Sequence, residues 1–146
     1  MGCSVDSHFS HLKWKELDTN NGGIGNVGYP LLSDITKSIA RSYDVLLGTA
    51  EAYIETEDDA ETTTVGGGVS LRGSFLIDEK GVVRHEIKND LPLGRNIDEM
   101  LRLIDALDHH NTHGEVCPAG WTQGKTGMKP TDDGMRDYLK NNSEEL

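Results

Sequence analysis

The chain predicts an α/β fold in which helices flank a mixed sheet. Three observations carry the prediction. Short strand-like runs alternate with helix-like runs along its 146 residues. A β-hairpin pattern fills the stretch from Leu71 to Ile87, and a capped helix with a broad apolar face opens at Asn96. Elements of that kind each hide one face against a neighbour, which is the layered solution of an α/β domain.

The elements follow in order. Met1 to Asp6 reads as a short strand. Ser7 suits the N-cap of a helix from about His8 to Leu17, with Phe9, Leu12 and Leu17 loosely along one side. A glycine turn at Gly22-Gly23-Ile24-Gly25 leads into a strand through Tyr29-Pro30-Leu31-Leu32. Asp34 is expected to cap a second helix in which Ile35, Ile39 and Tyr43 share a face. Residues 48–68 break the alternation. Glu51 to Thr64 holds six carboxylates and no base, and Gly66-Gly67-Gly68 follows, so self-repulsion predicts a mobile acidic insertion.

Leu71–Ile77 and Val82–Ile87 then flank Asp78-Glu79-Lys80-Gly81, whose glycine suits a left-handed turn position. Asn96 with Glu99 three residues on forms a reciprocal capping pattern. Ile97, Leu101 and Ile104, beside Met100, Leu103 and Leu107, make that third helix apolar on one side. Beyond His113-Gly114 the chain turns irregular through Pro118, Gly120, Gly124, Gly127 and Pro130, and a last short helix is expected over Asp132–Asn141.

Composition narrows the function. A formal net charge of −11 repels phosphate backbones and anionic lipid, so neither nucleic acid nor membrane is an expected partner. No apolar run approaches the roughly 20 residues that span a bilayer. Two cysteines, Cys3 and Cys117, imply no secreted disulfide framework and fit a reducing cytoplasm. Cys3 alternates with Val5 and reads as a buried, inert thiol. Cys117 lies among glycines and prolines that give a thiol mobility and access, although a spare surface thiol has the same look. Arg72 sits beside apolar strand positions, where a hairpin-edge salt bridge is the ordinary explanation. Arg95 alone is a loop charge ahead of a helix. His109, His110, His113 and Cys117 do not have a standard zinc spacing, and histidines commonly gather at the negative end of a helix.

Four segments, taken together and in order, resemble the typical 2-Cys peroxiredoxins, the thioredoxin-dependent peroxidase and alkyl hydroperoxide reductase family. They are Gly2-Cys3-Ser4-Val5-Asp6-Ser7-His8-Phe9-Ser10-His11-Leu12-Lys13-Trp14, Leu71-Arg72-Gly73-Ser74-Phe75-Leu76-Ile77-Asp78, Asn89-Asp90-Leu91-Pro92-Leu93-Gly94-Arg95 and His113-Gly114-Glu115-Val116-Cys117-Pro118-Ala119-Gly120-Trp121. The resemblance implies a thioredoxin-like fold, incomplete on its N-terminal side. It divides the chain into a partial peroxiredoxin domain over residues 1–112, carrying the 48–68 insertion, and a C-terminal extension over 113–146. The activity implied is reduction of hydrogen peroxide and organic hydroperoxides, with no cofactor and no metal. A peroxidatic thiolate becomes a sulfenic acid, a resolving cysteine from the partner subunit condenses with it, and thioredoxin or a similar reductant opens the disulfide. Homodimers, and rings of them, are the implied assembly.

By that resemblance Cys117 is the resolving cysteine, Arg72 the arginine beside the peroxidatic sulfur and Arg95 its supporting partner. Cys3 does not match the peroxidatic position, because that motif, Pro-x-x-x-Thr/Ser-x-x-Cys, needs more than the two residues that precede it. The chain by itself is accordingly expected to be inactive, supplying Cys117 and Arg72 to a peroxidase. The alternative is a non-catalytic interaction module or holdase that co-assembles with intact subunits. Gly22-Gly23-Ile24-Gly25 resembles the glycine insertion of oxidation-sensitive members, whereas Tyr138-Leu139 departs from their Tyr-Phe pair. A missing central strand is also implied, leaving a gap beside Val5 where Gly2–Asp6 does not pair with Leu71–Ile77.

Overall fold

The computed structural model describes residues 1–48 and 68–142. The expected acidic insertion therefore lies, apart from Gly48 and Gly68 at its ends, outside the described residues. Strands and helices follow in the order β1 (Gly2–Ser4), α1 (His8–Glu16), β2 (Leu31–Ser33), α2 (Ser38–Ser42), β3 (Leu46–Leu47), β4 (Val69–Ser70), β5 (Arg72–Ile77), β6 (Val83–Asn89), α3 (Ile97–His113) and α4 (Asp132–Asn142).

β1 and β2 pair in parallel, Cys3 opposite Leu32. β3 and β4 pair antiparallel, Leu46 opposite Ser70, and β5 pairs with β6. The α/β reading stands, but the expected mixed sheet is present as three two-stranded ladders. A continuous sheet needs a strand paired on both sides, and no described strand is. Among the described strands β1 pairs with β2 and not with β5.

Local chemistry fixes most element ends. Ser7 Oγ accepts from the Ser10 amide at 3.1 Å, opening α1 where the sequence places it. The apolar residues of that helix do not form a core: Phe9 is 71% exposed, and the buried residue is His11. After α1 the Trp14 indole donates to the Gly22 carbonyl at 2.8 Å, and the Ile24 amide donates to the Trp14 carbonyl at 3.1 Å. That return brings Gly23 so close to Leu17 that a Cβ would run into the Leu17 carbonyl.

α2 differs from expectation. Asp34 does cap it, accepting from the amides of Ile39 at 3.1 Å and Ala40 at 2.7 Å, but the helix begins only at Ser38. Asp34 to Lys37 forms a turn first, with Lys37 in the left-handed region at φ 58°. Ile35 falls outside the helix and is exposed, so the expected Ile35–Ile39–Tyr43 face is broken.

The hairpin turn is held by Asp78, whose Oδ1 accepts from the amides of Val82 and Lys80 at 2.9 Å each. Those bonds, the Val82 one foremost, hold the Asp78 carboxyl below the usual range. Gly81 takes the left-handed position at φ 80°. α3 opens with Asn96 Oδ1 accepting from the Glu99 amide at 3.1 Å and ends at Gly114. The cap is one-sided, because the Glu99 carboxylate turns to Arg102 instead of back to Asn96.

Two compact units result: Met1–Ser74 with Ile87–Gly94, and Phe75–Glu86 with Arg95–Leu146. Ala40, Val45, His11 and Asp34 are the buried residues of the first, and Trp121 and Gly127 those of the second. Among the described residues no helix is long and apolar enough to cross a membrane.

Candidate thiol site

Cys117 belongs to the second unit, three residues past the glycine that ends α3. Its thiol is free and half-buried, and its Sγ donates to the Ala106 carbonyl on α3 at 3.5 Å. The loop that carries it is closed by an antiparallel bridge, Val116 to Met128, whose two amide–carbonyl bonds are 2.7 and 2.8 Å. Trp121 plugs the inside of the loop at 3% exposure. The Trp121 amide donates to the Pro118 carbonyl at 3.0 Å, and its indole N–H donates to the Lys125 carbonyl at 2.9 Å.

Charge around the thiol is mixed. Burial pushes the Cys117 thiol up, Arg102 opposes the rise, and Glu115 adds to it, with a net shift upward. Cys117 is thus held as a neutral thiol near pH 7, with an arginine on hand to favour the thiolate once it forms.

Arg102 is the residue that sequence reasoning missed. Its side chain is bidentate to Glu99, at 2.6 and 2.7 Å, and also donates to the Trp121 carbonyl at 2.8 Å. The guanidinium holds the Glu99 carboxyl below the ordinary carboxylate range. The one signal in the sequence was the spacing of Glu99 and Arg102, which are neighbours on a helix surface.

The expected residues are distributed differently. Arg72 heads β5, exposed, and counts with the first unit; Arg95 is exposed in the second, directly before the Asn96 cap. Cys3 corrects the sequence reading, since it is exposed in place of buried. β1 ends at Ser4, so the alternation does not extend to Val5. Partial burial first, and the Asp34 carboxylate second, still push the Cys3 thiol up.

The histidines at the end of α3 are engaged. His109 Nε2 lies 3.0 Å from Glu115 Oε2, and His110 Nδ1 donates to the Glu115 carbonyl at 2.8 Å. His113 Nδ1 donates to the His109 carbonyl at 3.1 Å, its ring stacked on His109 with centroids 4.4 Å apart. Among the described residues no group of three or more His, Cys, Asp or Glu is placed to hold a metal ion.

Residues 1–86 match the model of the AhpC/TSA family, and residues 106–141 match that of the C-terminal domain of 1-Cys peroxiredoxin. The chain is 50% identical over all its 146 residues to alkyl hydroperoxide reductase C of Helicobacter pylori, of which it covers 65%. It is 52% identical over 121 residues to the mitochondrial thioredoxin-dependent peroxide reductase of Drosophila melanogaster, covering 83% of this chain and 44% of that protein. The chain thus spans under two thirds of the length of these relatives. Among solved structures, a reduced 2-Cys peroxiredoxin of Plasmodium vivax superposes with a TM-score of 0.77 at 47% identity, over 95% of this chain and 63% of that one. The expected thioredoxin-like fold is borne out by that superposition.

Proposed function

Because the chain belongs to the AhpC/TSA family, we propose that it forms part of a thiol-specific peroxidase reducing hydrogen peroxide and organic hydroperoxides, with Cys117 as the resolving thiol. The observation that carries this reading is the setting of Cys117: a half-exposed thiol on an irregular loop, inside the segment that matches the C-terminal family model. A resolving thiol has to travel to a sulfenic acid on another chain, which a loop outside regular secondary structure can do. In the condensation the Cys117 thiol gives up its proton and the sulfenic acid its hydroxyl; an S–S bond forms and water leaves. A dithiol reductant of the thioredoxin kind then opens the disulfide by exchange.

Arg72 and Arg95 are assigned to the peroxide side, where a guanidinium favours a thiolate and the charge growing on the departing oxygen. Residues 1–112 act as the partial peroxidase domain and 113–146 as the extension that delivers Cys117. The assembly proposed is a homodimer or a ring of dimers, working in the cytoplasm, where both thiols stay reduced.

Neither thiol stands in the first turn of a helix, since Cys3 is in β1 and Cys117 lies beyond α3. The chain alone is expected to show no peroxide-dependent turnover with thioredoxin and its reductase. Mixed with a full-length family member whose own resolving cysteine has been replaced, it should be trapped by hydrogen peroxide as a mixed disulfide through Cys117. Cys117→Ser should abolish the trapped species and Cys3→Ser should not; trapping through Cys3 would overturn the assignment. The second reading, an interaction module or holdase, draws on the exposed Phe9, Leu12 and Trp14 of α1. Co-elution with the intact partner without any disulfide would favour it.

A further inference from the structure

Arg102 divides its guanidinium between two anchors. Nε and Nη2 donate to the two carboxylate oxygens of Glu99, one turn back on α3, at 2.6 and 2.7 Å. Nη1 donates to the backbone carbonyl of Trp121 at 2.8 Å, nineteen residues on. Cys117 lies within the segment so closed, and its Sγ donates to the Ala106 carbonyl of α3, one turn beyond Arg102, at 3.5 Å. A thiol is a weak donor, whereas a bond from a guanidinium is short and charge-assisted. Of the two hydrogen bonds between α3 and residues 117–121 among the described residues, the one from Arg102 is the stronger; the His109 ring adds a tilted contact with Trp121, centroids 4.9 Å apart.

We propose that Arg102 is a positioning residue, the latch of the Cys117 loop: closed on Glu99 and the Trp121 carbonyl it keeps the thiol against α3, and letting go of that carbonyl frees residues 117–121 to carry the thiol to its partner. The proposal rests on the reading of Cys117 as a thiol that must travel. Arg102 also touches the chemistry through charge, since it favours the Cys117 thiolate against burial and Glu115. The latch and the charge predict different outcomes for lysine at position 102. Lysine keeps the charge but offers a single ammonium, which cannot hold a carboxylate in a fork and a carbonyl at the same time.

In a Cys3→Ser chain Cys117 is the sole thiol. Its alkylation by iodoacetamide at pH 8 should speed up about tenfold in both Arg102→Ala and Arg102→Lys, the order expected for losing one charge-assisted bond at a half-exposed site. Glu99→Gln, which loosens the other anchor, should give a smaller rise. Amide hydrogen exchange along α3 should stay as protected as in the parent. A lysine variant as slow as the parent would overturn the proposal in favour of charge. Unchanged alkylation in the alanine variant, or a faster rate accompanied by lost α3 protection, would overturn it as well. No sulfenic acid enters this assay, so its failure leaves the resolving role of Cys117 standing, and failed mixed-disulfide trapping leaves the latch standing.

Discussion

The Cys117 thiol sits above the ordinary cysteine range for a reason that can be removed piece by piece. Burial is the largest cause, and Glu115 weighs the same way against Arg102. In the Cys3→Ser chain, alkylation followed against pH should show a midpoint above that of a free cysteine, about 8.5. Glu115→Gln should bring the midpoint down, because a neighbouring negative charge is gone; a midpoint at or below the free value would contradict the account. The sign for stability follows. A thiol raised in the folded chain contributes fully below its unfolded value, and the contribution is lost as pH rises through the folded one. At this scale Cys117 was legible because its Gly-Glu-Val-Cys-Pro context is local. Arg102 was not, because its decisive partner is a backbone carbonyl, which leaves no mark on residue type. Cys3 misled because alternation in a three-residue strand says nothing of what covers it.

Elements whose ends are set within four residues were the legible ones. Ser7 and Asn96 cap where their side chains reach the third amide ahead, and Asp78 and Gly81 close a turn from within. α2 failed that test, since Asp34 reaches over an intervening turn to the amides of Ile39 and Ala40. The return after α1 provides a quantitative check. Gly23 has no room for a methyl group, because the Leu17 carbonyl and side chain occupy its place. Gly23→Ala should cost about 1–3 kcal/mol, the usual range for forcing an atom into filled space. Urea unfolding measures it, and a neutral substitution would mean that the return from α1 shifts freely.

Pairing between distant strands is where local pattern stops informing: β1 joins β2 across α1 and β3 joins β4 across residues 48–68, whereas the β5–β6 hairpin is local. The molecule therefore leans on a few buried groups, and Asp34 is foremost among the polar ones at 2% exposure. Burial alone would raise its carboxyl, but the bonds from Ala40, Ile39 and Ser38 outweigh that and hold it below the usual value. Its contribution is present above the unfolded value of about 3.9 and is lost as pH falls through the lower folded one. Asp34→Asn should cost about 1–2 kcal/mol at pH 7, the range for a weakened cap. The gap to the parent should shrink as the medium is acidified to pH 3, and a gap that stays constant would mean the carboxylate charge is irrelevant.

Each compact unit holds one of the two tryptophans, Trp14 at 42% exposure in the first and Trp121 at 3% in the second. A dry indole fluoresces at shorter wavelength than a wet one, so the chain carries two colours of intrinsic emission. The blue component belongs to the loop around Cys117 and the red one to the return after α1, which makes the two halves separately visible in a single cuvette without any dye.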